Sequence, residues 1–483
     1  MAESPFELHS ERLGTTDASG GRVFLFTADV KGKFRRARTL VHFIFVTIFL
    51  VMPWIKINHR QALLLDVIDR RFEIFGLSLR AHNAPLIFFV FAAAGFGLFF
   101  VTAVWGRVWC GWACPQTVFI DFIFRRIERL VEGPALKRRA LASADISFAK
   151  TCRKTLKWTL YTLASLVISH SFFAYFVGTE NLKEMIFRSP TDNWASFLFI
   201  LFSTGILLFN FSWFREQFCI IACPYGRFQS VIMDNHSLVV TYDVARGEPR
   251  ATPQAKALAK SHNSNLGDCV NCYRCVQVCP VGIDIRRGTQ MECINCTACI
   301  DACDDVMTHT NKPHGLIRYE SAAGLQKRKR VVWRPRSILY FSLTVAAILG
   351  LSISMSQMTA IDVQLLRPHD APYTVESNAP GASIILNHFN VALRNQGDQL
   401  HQISFKIPDD LIEKYPDLIL TTAYQPISLA KDGSFRTQVL IRFPREMLSL
   451  GKRKIRVQII DQEEGSDIQT THEKEVTLVG PIT

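Results

Sequence analysis

The sequence predicts a multi-domain chain: an α-helical membrane bundle of five spans, a cysteine-rich module inserted before the last span, and a C-terminal β-sandwich. Three observations carry this prediction. Apolar residues make up 48% of the 483 positions and are gathered in blocks rather than spread. Eight of the 13 cysteines fall between Cys269 and Cys303. After the last apolar block the pattern changes to alternation with period two, the signature of half-buried strands.

Five stretches carry no charged residue: Thr39–Ile55, Ala84–Trp105, Trp158–Val177, Trp194–Phe214 and Ser337–Met355. Each is close to the ~20 residues that cross a ~30 Å hydrocarbon core. Several begin or end at Trp, a residue favoured at membrane interfaces. The net charge of +13 would suit nucleic acid, but its distribution argues for a membrane instead. Lys31, Lys33, Arg35, Arg36 and Arg38 precede the first span. Residues 125–157 hold ten Lys/Arg against three Asp/Glu, and Lys327–Arg330, Arg334 and Arg336 precede the last span. The two intervening loops are balanced, with four basic and three acidic residues in 58–81 and two basic and three acidic in 178–193. The positive-inside rule then predicts a cytoplasmic N-terminus, a cytoplasmic cysteine-rich module and an exported C-terminal domain. No cysteine follows Cys303, so that domain is expected to lack disulfides. The first thirty residues have no apolar signal core, and span one is expected to act as an uncleaved anchor.

In chain order, residues 1–37 read as a tail, with Val23–Phe26 packing on a neighbour or on the bilayer. Residues 38–242 hold spans one to four, 243–336 the inserted module, 337–357 span five, and 358–483 the exported domain. After span one, the apolar spacing of Leu64, Leu65, Ile68, Phe72 and Phe75 predicts an amphipathic helix on the outer membrane surface. Residues 117–130 read as an amphipathic interfacial helix. Candidate strands are Ser383–Arg394, Leu400–Ile407, Thr421–Leu429, Ser434–Phe443, Lys452–Ile460 and Thr470–Leu478. Short strands at this spacing point to an immunoglobulin-like β-sandwich.

The cysteine run reads Cys269-x-x-Cys272-x-x-Cys275-x-x-x-Cys279-Pro280, then Cys293-x-x-Cys296-x-x-Cys299-x-x-x-Cys303-Asp304. Doubling of this spacing is the bacterial-type two-cluster ferredoxin pattern, in which the fourth cysteine serves the other cluster. It assigns Cys269, Cys272, Cys275 and Cys303 to one 4Fe-4S centre, and Cys293, Cys296, Cys299 and Cys279 to a second. The missing second proline costs no ligand.

Spans two and four end alike. Trp105 is followed by Cys110-Gly-Trp-Ala-Cys114-Pro115, and Trp213 by Cys219-Ile-Ile-Ala-Cys223-Pro224. Both read as aromatic-Cys-x-x-Ala-Cys-Pro, an internal repeat of a span with its cap. Cysteines at i and i+4 share a helix face, so four thiols are expected to face one small volume if the caps meet. Soft thiolates select Cu(I), zinc or iron–sulfur, and Arg107 and Arg215 are expected to favour thiolate. Three readings stay open: a copper or other metal site, a redox-active dithiol, and buried structural cysteines. Cys152 reads as structural. His42 and His170 lie near opposite ends of their spans and make a poor haem pair. Met355 and Met358 read as interfacial filler before copper ligands, and His388 and His401 have no ligand spacing.

Nearly the whole chain resembles the cytochrome c oxidase accessory protein family of the CcoG/FixG/RdxA type. The resemblance rests on Trp54-Ile-Lys-Ile-Asn58, Leu63-Leu-Leu-Asp66, Cys110-Gly-Trp-Ala-Cys-Pro-Gln116, Cys219-Ile-Ile-Ala-Cys-Pro-Tyr-Gly226, the two-cluster segment and the C-terminal domain. It implies a bacterial inner-membrane protein that assists maturation of cbb-type cytochrome c oxidase by reducing Cu(II) to Cu(I). A cytoplasmic electron donor, membrane lipid, and oxidase assembly factors or copper chaperones are the implied partners; nucleic acid is not. Two 4Fe-4S clusters are the expected cofactors, with copper as a further candidate at Cys110, Cys114, Cys219 and Cys223. The alternatives are an electron conduit to quinone or a partner protein, and a non-catalytic assembly scaffold.

Overall fold

The computed structural model describes residues 21, 23–57, 60–67, 71–80, 84–252, 254–255, 266–356, 361–368, 373–379, 382–395, 399–430, 433–463 and 469–481. The chain divides into two compact units, Met1–Ile353 and Ser354–Thr483. The first holds the spans and the cysteine-rich module together, so that module is not a separate body.

Among the described residues, five helices are long and apolar enough to cross a membrane: Lys33–Trp54, Leu86–Trp105, Phe148–Val177, Pro190–Phe214 and Pro335–Ser356. Within them run α1 (Lys33–Val51), α2 (Ala84–Trp105), α3 (Phe148–Val177), α4 (Trp194–Phe209) and, after the module, a further span. α3 starts where the Ser147 side chain accepts from Lys150 N–H (3.3 Å) and stops at Gly178, whose φ of 87° ends the helix. Between spans, residues Pro115–Phe119, Ile120–Phe124 and Arg125–Val131 form the predicted helix. Its apolar face is buried in protein: Val118, Phe119, Ile120 and Phe124 pack with Tyr161 and Ile168 of α3 and with Phe211. This face covers protein core where a bilayer contact was expected.

The segment after span one is a β-meander rather than the expected surface helix. β1 (Leu63–Asp66), β2 (Arg71–Ile74) and β3 (Leu77–Arg80) form an antiparallel sheet in that order. Ile74 pairs with Leu77 across a two-residue turn in which Phe75 and Gly76 both have positive φ, 49° and 88°. Paired left-handed residues define the tight hairpin turn that matches strand twist. A spacing that reads as helical was therefore overridden by the turn at Gly76. Ile68, one of the positions used for that reading, lies outside the described residues.

The module opens with β4 (Val239–Tyr242) and closes with β5 (Ile317–Glu320), which pair antiparallel. Between them α5 (Ala298–His309) carries Cys299 and Cys303. Residues 23–31 touch both the module and a cap: Ala28 N–H donates to Gln277 O (2.9 Å), and the guanidinium of Arg215, ahead of the module, lies 4.7 Å from the Phe24 ring centroid. The Val23–Phe26 stretch thus packs within its own chain. The last span is α6 (Pro335–Ser356).

The second unit is a β-sandwich. One sheet runs β10 (Ile419–Thr422), β12 (Ser434–Pro444), β8 (Ala382–Asn395), β6 (Ile361–Leu366), with β7 (Tyr373–Ala379) also on β8. The other runs β11 (Ile427–Leu429), β9 (His401–Lys406), β13 (Lys452–Glu463), β14 (Gln469–Val479). Ile385, Val439, Ile441 and Phe443 from the first sheet share one core with Ile403, Val457, Ile459 and Leu478 from the second. β6 and β7 were not expected. The predicted strand Thr421–Leu429 is two strands in different sheets, because Pro426 has no N–H to continue a ladder.

Candidate metal centres

The two Cys-x-x-Cys-x-x-Cys loops fold alike. Asn271 and Tyr273 in the first, and Asn295 and Thr297 in the second, occupy equivalent positions and all have positive φ (53°, 56°, 51° and 62°). The left-handed turns curl each loop so that its three cysteines face inward. Tyr273 and Thr297 then start the short helix Arg274–Gln277 and α5, which carry the later cysteines.

Two cavities result. Cys269, Cys272, Cys275 and Cys303 line one, with Tyr242, Arg286 and Met307 in its wall. Cys279, Cys293, Cys296 and Cys299 line the other, with Val240, Val281 and Ile283; Cys275 touches both. The partition matches the crossed sets expected from spacing. Burial pushes the free thiols of Cys275 and Cys303 up to about 12 and that of Cys293 up to about 11. Buried thiols of this kind keep their protons unless a metal displaces them. Among the described residues no three His, Cys, Asp or Glu side chains close on one point as a single ion requires. Thiols standing apart around a cavity are instead suited to the corners of a polynuclear cluster, so the donor set fits iron–sulfur.

The Cys-Pro caps repeat in structure as in sequence. Cys114 N–H donates to Trp109 O (2.8 Å), and Cys223 N–H donates to Phe218 O (2.8 Å). Each is a five-residue closure, wider than an α turn. Cys114 and Cys223 are extended (ψ 126° and 112°), because a following proline disfavours the helical region. Pro115 and Pro224 open the next helices. The expected common helix face for i and i+4 cysteines is therefore broken at the second cysteine of each cap.

The caps do meet. Cys110 and Cys219 pack in one apolar cluster with Cys279, Cys293, Ile294 and Cys296. Close approach is required here: a Cβ on Gly111 would lie 2.6 Å from the carbonyl oxygens of both Ile294 and Asn295. Arg107 Nη1 donates to Cys293 O (3.2 Å). Arg38 bridges Gly111 O (2.8 Å) and Cys296 O (3.4 Å). The second cavity thus sits against the caps, while Cys272 of the first is the exposed cysteine of the eight.

The thiolate expectation fails. Burial pushes Cys110 up to about 12, against an opposing hydrogen bond from Gln229 Nε2 (3.0 Å) and the nearby Arg107 charge. Burial also raises Cys114 and Cys219, helped at Cys219 by the other cap cysteines. Arg215 is turned away, bonded to Glu128 and to the Tyr161 hydroxyl (2.9 Å). The four cap thiols share one neighbourhood without converging as a single-ion cage.

A buried charge network fastens the caps. Glu128 accepts from Arg215, from Arg138 (2.7 Å) and from Tyr161 (2.8 Å). Burial alone would raise its carboxyl, but Arg215 and Arg138 outweigh that and hold it down to about 2. Asp121 bonds Arg35 (2.5 Å) and faces Arg38, His42 and Arg125 at 3.6–3.7 Å. Burial opposes its ionisation and the surrounding arginines override it, holding Asp121 well below the carboxylate range. His42 Nδ1 lies 3.7 Å from Asp121, and His170 Nδ1 contacts its own helix at Leu166 O (2.8 Å). His401 is paired with Asp461 (2.7 Å) and His388 with Thr374 (3.4 Å). Met355 is exposed; Met358 lies outside the described residues.

Sequence reasoning missed Gln229, which lies 119 positions from Cys110 with no motif to link them. It also missed Asp301. Asp301 accepts from Phe34 N–H (3.2 Å) and Arg35 N–H (2.7 Å), capping α1 from within α5 between Cys299 and Cys303. No spacing rule marks a residue inside a Cys-x-x-x-Cys interval as a helix cap.

A helical bundle able to cross a membrane, carrying a two-cluster cysteine module on its caps, defines a membrane iron–sulfur protein of electron-transfer type. Family models match as a 4Fe-4S binding domain over residues 86–134, a 4Fe-4S dicluster domain over 214–322, and the IG-like fold at C-terminal of FixG over 351–481. Protein RdxB of Cereibacter sphaeroides is 35% identical over 418 residues, 82% of this chain and 85% of that one. Protein RdxA of the same organism is 33% identical, covering 78% and 81%, and nitrogen fixation protein FixG of Rhizobium meliloti 32%, covering 79% of each. The chain belongs to the FixG/RdxA family.

Proposed function

We propose that this protein is a bacterial inner-membrane metalloreductase that assists cbb-type cytochrome c oxidase maturation by reducing Cu(II) to Cu(I). Its caps and cysteine module face the cytoplasm, where the donor is, and the sandwich faces the periplasm, where oxidase assembly factors or copper chaperones dock. Cys269, Cys272, Cys275 and Cys303 hold one 4Fe-4S centre; Cys279, Cys293, Cys296 and Cys299 hold the other. When bound, the clusters supply one-electron reduction.

The observation that carries the reading is the packing of Cys110 and Cys219 against Cys279, Cys293 and Cys296. It gives the module a direction. The exposed Cys272 marks the face that meets a soluble donor, and the second cysteine set marks the face that meets the substrate. Copper is the substrate, taken by cap thiols whose softness favours Cu(I). Each copper takes one electron from the donor, and each thiol that binds it releases its proton. The half-buried Cys110 and Cys219 limit the access of water to the product. Arg107 and Gln229 position Cys110, the first by tying its cap to the Cys293 carbonyl and the second by bonding its sulfur.

The double variant Cys110→Ser/Cys219→Ser tests this. It is expected to keep the iron–sulfur electron paramagnetic resonance signals of the purified protein and to lose Cu(II) reduction, read as Cu(I)–bathocuproine absorbance. Unchanged copper reduction by that variant would remove copper from the caps. Bleaching of the reduced protein by quinone, without copper, at the wild-type rate would favour a conduit instead.

A further inference from the structure

A groove of about 510 Å³ lies beside the first turns of α1, on the outside of the caps. Its rim is cationic: Lys31, Arg35, Arg36 and Arg126. Its floor is aromatic: Phe43 and Phe122, whose ring centroids are 6.1 Å apart. Arg36 and Phe43 are seven positions apart on α1, two helical turns, so rim and floor lie along one helix face. Arg126 lies over Phe122 at 4.0 Å, so its guanidinium stands at the junction of rim and floor.

The charge is not balanced. Arg35 is spent on Asp121 (2.5 Å). Lys31, Arg36 and Arg126 have no carboxylate within ion-pair distance among the described residues, and Lys31, Arg36 and Arg126 are exposed. Burial and then the neighbouring Arg35 lower the affinity of Arg126 for its proton, and Asp121 opposes them only in part. The position fixes what kind of anion fits. Lys31–Arg36 immediately precede the apolar run of a span, so the rim stands at headgroup level and the floor at acyl level. A free anion would use the rim and leave the aromatic floor bare.

We propose that this groove binds one anionic phospholipid, with its phosphate among Lys31, Arg36 and Arg126 and its acyl chain along Phe43 and Phe122. The inference needs the spans but not the copper reading. It gives the lipid a role, because the same turn is gripped by the module: Asp301 caps Phe34 and Arg35. A lipid seated there braces the junction between α1 and α5.

The test uses the full chain in nanodiscs of phosphatidylcholine alone or with phosphatidylglycerol. The wild type is expected to carry one anionic phospholipid through detergent extraction, seen by native mass spectrometry. Its melting midpoint, followed by cluster absorbance, is expected to rise by several degrees in the anionic discs. Arg36→Gln/Arg126→Gln removes two cations, each worth ~1 kcal/mol to anionic lipid, so binding weakens roughly thirtyfold. Equal midpoints of the wild type in the two discs overturn the proposal without recourse to any variant. So does equal lipid retention by the variant. If millimolar inorganic phosphate in neutral discs raises the midpoint as much as the lipid does, the ligand is a soluble anion and the lipid assignment fails.

Discussion

Gly32 shows how a single hydrogen atom holds a redox module in place. A Cβ at this position would overlap the Asp301 side chain, which is buried and fixed by the two backbone N–H groups it caps. The Gly32→Ala variant must push Asp301 off α1. Overpacking of this kind costs about 1–3 kcal/mol, and the expected reading is a lower melting midpoint with normal iron content. Glu128 predicts the response to acid. Its carboxyl is held at about 2 in the folded chain against an ordinary 4.5. A depressed carboxyl stabilises the fold fully above 4.5 and loses that contribution as pH falls from about 4.5 towards 2. Glu128→Gln leaves Arg215 and Arg138 without their anion, costs about 3–5 kcal/mol near neutrality, and flattens the acid limb of a midpoint-against-pH profile. The grouping of the eight cysteines around two cavities was legible from sequence because their spacing is local. Asp301 and Gln229 were not, because their partners are supplied by the fold.

At the scale of elements, the five spans and most strands followed from hydrophobic pattern alone. The misreadings share a cause: pattern gives periodicity but not closure. Leu64, Phe72 and Phe75 suited a helix until Gly76 closed a hairpin, and Cys110 and Cys114 suited one face until Pro115 opened a new helix. Gly76→Val forces a β-branched residue into φ 88°, at about 1–2 kcal/mol for the left-handed region. Amide exchange in residues 63–79 is expected to quicken, with cluster absorbance unchanged. If protection there is unaffected, the turn does not hold the meander.

For the whole molecule, the division at Ile353 matters more than the number of domains. The expected boundary around 243–336 described a module in sequence, but Arg38, Arg107 and Gly111 tie it to the caps. The sandwich has a core of its own, drawn from both its sheets. Residues 361–481 expressed alone are therefore expected to unfold cooperatively, with a midpoint indifferent to iron chelators. A fragment that stays unfolded by circular dichroism would show that the sandwich needs the rest of the chain.

The ribbon of β4 and β5 has a further consequence, for connection rather than chemistry. Thr241 and Arg318 face each other across that ladder, so the excursion between them begins and ends at one place. The segments that lead out of the fourth span and into the fifth are thus held together at four paired positions, whatever path the chain takes in between.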